Sequence, residues 1–182
     1  HLGGLKVTNN GSLGTAILKL FERSFASTGL NEKMLVAQKL PYKKIYISWF
    51  DHATYYPGAT PIYLKVLFNP ETRLAYGAQA GGLKGVDKRI DVITTLIKAK
   101  MPITSWPELE FAYAPPFSLA KDIINLAGYF AENVLNGITE LVEWEELEAK
   151  MAAGAVVVDV RSERERMRRG YIKGSINLPL EM

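Results

Sequence analysis

The sequence predicts an α+β fold, in which an antiparallel sheet carries helices on one face, followed by a partial α/β segment. Three observations predict this. Apolar and polar residues alternate, as strands require, in the first part of the chain. Apolar residues at helical spacing follow in two later stretches. Near residue 138 the pattern changes to a helix and then a continuous apolar run, which is typical of a parallel sheet.

The first elements are predicted from partial alternation and from β-branched and aromatic residues. Residues 14–25 are predicted as one strand and Lys43–Phe50 as another. Between them, residues 26–29 are predicted as a turn. Thr28 is a candidate N-cap for a short helix over about residues 31–39.

A hairpin is predicted next. Residues 69–72 (NPET) form its turn, because proline pre-sets the backbone angle that a tight turn needs. Residues 73–80 return as the partner of Pro61–Phe68. In Pro61–Phe68, four apolar residues share one face of the strand: Ile62, Leu64, Val66 and Phe68.

Two helices are predicted from apolar stripes. The first stripe consists of Val86, Ile90, Ile93 and Ile97. The second follows Ser118, a candidate N-cap, and consists of Leu119, Ile123, Leu126, Phe130 and Val134. Residues 101–117 hold four prolines and are predicted to be irregular but well packed. Strands followed by helices indicate the α+β class.

A domain boundary is predicted where the pattern changes, giving domains of residues 1–137 and 138–182. In the second, residues 143–153 suit a helix and residues 155–160 suit a strand buried on both faces. Because half of an α/β domain cannot cover both faces of its central strand, we expect residues 156–158 to stay partly open to water.

Composition argues against several classes of function. The net charge of +3 is too small to indicate a nucleic-acid partner, and no apolar stretch approaches the ~20 residues that cross a membrane. We therefore expect a soluble, cytoplasmic protein. Cysteine is absent and there are two histidines, so disulfides, a cysteine nucleophile and a metal site are not expected. Glu163–Arg169 mixes charges at helical spacing, which predicts a solvated helix.

Two stretches resemble functional motifs without matching them. Residues 77–85 are rich in glycine but have neither the P-loop spacing nor GxGxxG, so they are predicted as a strand end turning into a helix. Asp51 and His52 suggest a dyad, but neighbours in an extended chain point apart. His52 is therefore predicted at the surface or at an interface.

Three tyrosines lie on loops stiffened by proline. Tyr55 and Tyr56 precede Pro57, and Tyr113 precedes Pro115 and Pro116. A tyrosine hydroxyl on such a loop can hydrogen-bond or protonate an anion such as a thiolate. The alternative is an amphipathic residue at an interface, and the residues alone favour it.

Six motifs, in order, resemble the C-terminal domain of coenzyme A-disulfide reductases and related NADH oxidases, in the pyridine nucleotide-disulfide oxidoreductase family. The resemblance covers about residues 10–136. The motifs are residues 12–17 (SLGTAI), 26–32 (ASTGLNE), 52–59 (HATYYPGA), 77–80 (GAQA), 85–92 (GVDKRIDV) and 112–122 (AYAPPFSLAKD).

The resemblance implies a homodimeric flavoprotein. Its N-terminal domains, outside this chain, would bind FAD and NAD(P)H and carry one redox-active cysteine, so no cofactor is expected on this chain alone. The family's two tyrosines that face the partner's cysteine map to Tyr55 and Tyr113, with Tyr56 as the alternative to Tyr55. The implied substrate is a small disulfide or persulfide, such as a coenzyme A derivative. The alternatives are an NADH oxidase reducing oxygen and a non-catalytic dimerisation module.

The last residues resemble the start of a rhodanese domain. The resemblance rests on residues 157–161 (VVDVR) and 170–179 (GYIKGSINLP), with Ser175 where that family usually has alanine. No cysteine is present, so sulfur transfer by this chain is not expected. The chain begins at His1 without an initiator methionine, and we expect it to be a piece of a longer protein.

Overall fold

The computed structural model describes Gly4 and residues 11–180. The chain divides into two compact units, His1–Thr139 and Glu140–Met182. This division lies after residue 139, whereas the sequence predicts a domain boundary after residue 137, and that boundary stays a prediction.

The first unit is built on a five-stranded antiparallel sheet, which confirms the α+β prediction. Its strands are β1 (Ala16–Leu20), β2 (Arg23–Gly29), β3 (Lys43–Phe50), β4 (Pro61–Phe68) and β5 (Ala75–Gly82). Their order across the sheet is β1-β2-β5-β4-β3. Residues paired across neighbouring strands lie on the same face of the sheet. One such row of paired residues is buried and consists of Ala26, Ala80, Leu64 and Ile47.

The prediction of a single strand over residues 14–25 is wrong. The chain reverses at Phe21 and Glu22, and β1 pairs with β2 from Ala16 opposite Ser27 onwards. The predicted turn at residues 26–29 is wrong for the same reason, since these residues complete β2. Neither turn residue is glycine, proline, asparagine or aspartate, so the local sequence does not signal the reversal.

The short helix α1 spans Glu32–Ala37. Asn31 caps it, because its side chain accepts a hydrogen bond from the Met34 amide at 3.0 Å. Thr28, the predicted cap, instead bonds through its hydroxyl to Thr15 and Thr94.

Helices α2 (Val86–Lys98) and α3 (Ile123–Leu135) cover one face of the sheet. Helix α2 packs against β2 and β5, and α3 packs against β3 and β4. The predicted stripe of α2 is confirmed for Val86, Ile90 and Ile93, which are buried. The predicted connection between β5 and α2 through the glycine-rich stretch is confirmed too.

The predicted start of α3 is wrong, and its predicted apolar stripe is confirmed only in part. Ile123 is buried, and Leu126 and Val134 pack against the core. The cap is Asp122, not Ser118, and Phe130 of the predicted stripe is 45% exposed. The buried face carries small residues because a 3-10 helix at Ile103–Glu108 lies against it. A β-carbon on Gly128 would lie 2.3 Å from Cδ of Pro107, so a large side chain has no room there.

The second unit contains a 3-10 turn (Trp144–Glu146), α4 (Leu147–Ala152), β6 (Val158–Asp159), α5 (Glu163–Arg169) and β7 (Ile176–Asn177). Strands β6 and β7 are parallel, and α5 forms where the sequence predicts it. The strand predicted over residues 155–160 is only two residues long and is not buried on both faces. Val156 is 66% exposed and Val158 47%, as expected for an incompletely covered strand.

Candidate functional site

The Tyr55 and Tyr113 side chains meet at the surface of the first unit. Their hydroxyl oxygens lie 3.1 Å apart, within hydrogen-bonding distance, although 58 positions separate the residues. Tyr55 is 74% exposed and Tyr113 is 50% exposed, so the pair is accessible to a ligand or a partner. Tyr56 is also exposed, but its ring turns back towards His52.

Tyr55 lies on the loop of residues 51–60 between β3 and β4, here called the tyrosine loop. Its two ends are joined, because the Asp51 amide donates to the Thr60 carbonyl at 2.9 Å. The Thr60 amide in turn donates to Oδ1 of Asp51. The loop is therefore closed at its base by both backbone and side chain.

The prediction that Asp51 and His52 do not pair is wrong. Nδ1 of His52 lies 2.9 Å from Oδ2 of Asp51, and both residues are 5% exposed. The reason is that the chain bends at these residues, so the rule for extended neighbours does not hold. Nε2 of His52 faces the carbonyl of Pro57 at 3.4 Å.

The Asp51 carboxylate is held in its ionised form. Burial acts to raise its pKa, but the hydrogen bonds from the Thr60 amide and from His52, with the charge of His52, outweigh burial and lower the pKa below its ordinary value. Asp51 is therefore an acceptor on both oxygens at neutral pH.

Tyr113 lies on a second loop, residues 112–118, here called the proline loop. A turn closes it, since the Phe117 amide donates to the Ala114 carbonyl at 2.9 Å. The two loops touch directly, because the Ala53 amide donates to the Pro115 carbonyl at 3.3 Å. This contact fixes the tyrosine loop against the proline loop near the two hydroxyls.

Arg89 of α2 is hydrogen-bonded to the tyrosine loop directly and to the proline loop through Asp122. Its guanidinium donates to the Asp51 carbonyl at 2.8 Å and to Oδ2 of Asp122 at 2.7 Å. Asp122 also accepts from the Ser118 hydroxyl at 3.1 Å, and Ser118 ends the proline loop. Arg89 and Asp122 are 2% and 1% exposed, so this ion pair is fully desolvated.

Sequence reasoning missed Arg89, although a signal was present. Arg89 lies three residues after Val86 and four before Ile93, so it falls on the apolar stripe of α2. An arginine on a buried stripe requires an anionic partner, and Asp122 provides it.

The Tyr55 and Tyr113 hydroxyls can act together as a hydrogen-bond donor. The hydrogen bond to Tyr113, with some desolvation, raises the pKa of Tyr55 above its ordinary value, so Tyr55 stays protonated at neutral pH. When one hydroxyl donates to the other, the accepting hydroxyl keeps its own proton for a third group. The pair can therefore donate a hydrogen bond to a bound anion.

Within Gly4 and residues 11–180, no group of three or more histidine, cysteine, aspartate or glutamate side chains could hold a metal ion. The same part of the chain contains no helix long and apolar enough to cross a membrane.

The profile of the pyridine nucleotide-disulphide oxidoreductase dimerisation domain matches residues 15–123. The chain belongs to this family. It is 40% identical over 122 residues to the coenzyme A disulfide reductase of Staphylococcus aureus (strain bovine RF122 / ET3-1). That match covers 67% of this chain and 27% of the relative, so the chain spans about a quarter of the length of such relatives.

Two solved members of the family resemble the chain over nearly its whole length. The reduced CoADR-RHD of Bacillus anthracis gives a TM-score of 0.92 at 44% identity, over 97% of this chain and 32% of that one. The NAD-dependent persulfide reductase from A. fulgidus gives a TM-score of 0.87 at 36% identity, over 98% of this chain and 32% of that one. This chain is thus homologous to disulfide oxidoreductases and contains their dimerisation domain.

Proposed function

We propose that this chain completes the active site of a homodimeric, FAD-dependent NAD(P)H:disulfide reductase that acts on coenzyme A disulfides or persulfides. The observation that carries the proposal is the hydrogen-bonded Tyr55–Tyr113 hydroxyl pair on two exposed loops. The names of the relatives support the substrate class, since they include a coenzyme A disulfide reductase and a persulfide reductase.

Gly77, in the glycine-rich stretch of residues 77–85, does not line a nucleotide phosphate site. In the glycine-rich stretch, a β-carbon on Gly77 would lie 2.3 Å from the Leu30 carbonyl oxygen, so this glycine serves strand packing rather than a phosphate. The cofactors would be held by the remaining length of the enzyme, where they would supply the electrons. The role proposed for this chain needs only its own hydroxyls.

The proposed role of the tyrosine pair is to stabilise a leaving thiolate. When a cysteine thiolate attacks a disulfide, a new S–S bond forms, the old one breaks, and the expelled sulfur takes the electron pair. A neutral hydroxyl beside that sulfur can donate a hydrogen bond or a proton to it. This chain has no cysteine, so the attacking thiolate would come from elsewhere in the enzyme, and the resemblance points to the partner subunit.

For residues 138–182, we propose the start of a rhodanese-like domain. The proposal is supported by the two motifs at residues 157–161 and 170–179 and by the parallel pairing of β6 with β7. The B. anthracis match extends over 97% of this chain and therefore includes most of these residues.

The test is expression of the complete reading frame that encodes this chain. We expect a yellow protein that oxidises NADH or NADPH when coenzyme A disulfide or coenzyme A persulfide is supplied. Oxygen consumption without a sulfur substrate would support the oxidase alternative instead. A colourless protein that oxidises neither nucleotide would contradict the proposal and favour a non-catalytic dimerisation module.

A further inference from the structure

We infer that Asp51 and His52 are positioning residues that hold the tyrosine loop so that the Tyr55 hydroxyl meets the Tyr113 hydroxyl. The inference deepens the proposed function and rests on it. It gives a role to two buried polar side chains that the sulfur chemistry itself does not use.

The two side chains connect the start of the tyrosine loop to its middle and its end. Asp51 accepts a hydrogen bond from the Thr60 amide, and His52 reaches the Pro57 carbonyl. Tyr55 lies between the residues held in this way. Because Asp51 and His52 are each 5% exposed, water does not compete effectively for these hydrogen bonds.

The His52 ring lies between two acceptor oxygens. Nδ1 faces the ionised Asp51 carboxylate at 2.9 Å, and Nε2 faces the Pro57 carbonyl at 3.4 Å. Both oxygens can only accept, whereas a neutral imidazole has a single N–H. A proton on Nδ1 satisfies the shorter of the two contacts, so His52 donates to Asp51 and turns Nε2 towards the Pro57 carbonyl.

The pair also lies beside the contact between the two loops. Ala53 directly follows His52, is 3% exposed, and donates its amide to the Pro115 carbonyl of the proline loop. The His52 ring meets the Tyr56 ring edge-on, with ring centroids 5.9 Å apart. Displacement of His52 would thus move the tyrosine loop relative to the loop that carries Tyr113.

The experiment uses the full 182-residue chain with 13Cζ-labelled tyrosine and measures the pKa of Tyr55 by NMR titration. Tyr113→Phe removes the hydroxyl partner and gives the reference value for an unpaired Tyr55. We expect His52→Ala to lower the Tyr55 pKa towards that reference. His52→Asn keeps a donor towards Asp51, and His52→Gln keeps one towards Pro57, so each should give an intermediate value.

Ile93→Val is the matched control, because it removes one buried carbon from the core face of α2, outside both loops. It should leave the Tyr55 pKa unchanged. If folded His52→Ala also leaves it unchanged, His52 only stabilises the fold and the inference is wrong. Should His52→Ala fail to fold, unchanged values in both His52→Asn and His52→Gln would overturn it equally.

The outcome is separable from that of the proposed function. The titration reports whether the two hydroxyls meet, and needs neither cofactor nor substrate. The Tyr55 pKa could fall in His52→Ala while turnover of a sulfur substrate proves independent of Tyr55. In that case the positioning role would stand and the catalytic role would fail.

Discussion

Arg89 carries a positive charge into the interior of the first unit, where 2% of the residue is exposed. Asp122 balances the charge, and the Asp51 and Gly85 carbonyls each accept a further hydrogen bond from the guanidinium. Asp122 is also the N-cap of α3, so one carboxylate serves the ion pair, the Ser118 hydroxyl and the helix. A single guanidinium therefore connects the tyrosine loop, the proline loop and two helices.

Replacing Arg89 should be among the most destabilising single changes in the chain. In Arg89→Met the Asp122 carboxylate stays buried without its cation, and we expect the free energy of unfolding to fall by ~3–5 kcal/mol. Urea unfolding followed by circular dichroism measures this loss.

The second variant, Arg89→Met with Asp122→Asn, shows whether charge is the cause. The asparagine is neutral and still able to cap α3, so we expect the double variant to be more stable than Arg89→Met alone. Asp122→Asn alone completes the comparison. If the double variant loses as much stability as Arg89→Met and Asp122→Asn lose together, the ion pair contributes nothing as a pair.

At this scale the sequence predicts the exposed groups better than the buried ones. The family motifs point to Tyr55 and Tyr113, and the structure brings their hydroxyls together, although the catalytic role stays a prediction. The Asp51–His52 pair was missed because the bend that joins the two side chains is imposed by contacts with Thr60 and Arg89. Such contacts between distant residues leave no local pattern in the sequence.

Among the elements, β3, β4, β5 and α2 form where alternation and helical spacing predict them. The β1–β2 hairpin and the small-residue part of the buried face of α3 do not follow the local pattern. In the hairpin, the apolar alternation continues through a reversal at Phe21. In α3, the contact with Pro107 selects small residues, which a search for large apolar side chains overlooks.

Helix α1 is tied to the sheet by Glu32. Its carboxylate accepts hydrogen bonds from Lys44 at 2.7 Å, from Tyr42 at 2.9 Å and from Lys65. Burial acts to raise the pKa of Glu32, but these three donors outweigh it and lower the pKa from 4.5 to about 2. The pKa of Glu32 is lower in the folded chain than in the unfolded one. Its contribution to stability is therefore present above about pH 4.5 and is lost as the pH falls towards 2.

We therefore expect Glu32→Gln to lower the free energy of unfolding by ~1–2 kcal/mol at pH 7, a value reduced for partial solvent screening. The difference from the parent chain should shrink between pH 4.5 and 2. Glu71→Gln, on the exposed turn between β4 and β5, is the charge-matched control and should change stability little. A Glu32→Gln loss that is constant with pH would rule out the ion-pair explanation.

At the scale of the whole molecule, the chain contains a dimerisation domain and exposes large apolar side chains on the two loops. Phe117 is 71% exposed and lies on the proline loop, which also carries the exposed Tyr113. Such side chains are typical of protein interfaces, and obligate dimers bury areas of ~2,000 Å² or more. The dimer is predicted from the resemblance to the family. The residue pattern of a single chain does not show which surface binds the partner.

We expect the 182-residue chain to form a two-fold dimer through these loops. Light scattering at tens of micromolar should give twice the monomer mass of 20.3 kDa. Phe117→Asp should shift the mass towards the monomer, whereas Val36→Asp, on the exposed side of α1, should not. A mass of 20.3 kDa at every concentration would contradict the dimer.

The most direct test of the central claim is the turnover of a sulfur substrate by Tyr55→Phe and Tyr113→Phe in the complete enzyme. Each variant keeps the ring and removes one hydroxyl of the pair. We predict that each lowers kcat with coenzyme A disulfide by ~10- to 100-fold, while anaerobic reduction of the flavin by NADH or NADPH keeps its rate. Tyr56→Phe, next in sequence to Tyr55, should leave both rates unchanged. Parental turnover in both Tyr55→Phe and Tyr113→Phe would contradict the claim and would leave the two tyrosines as interface residues.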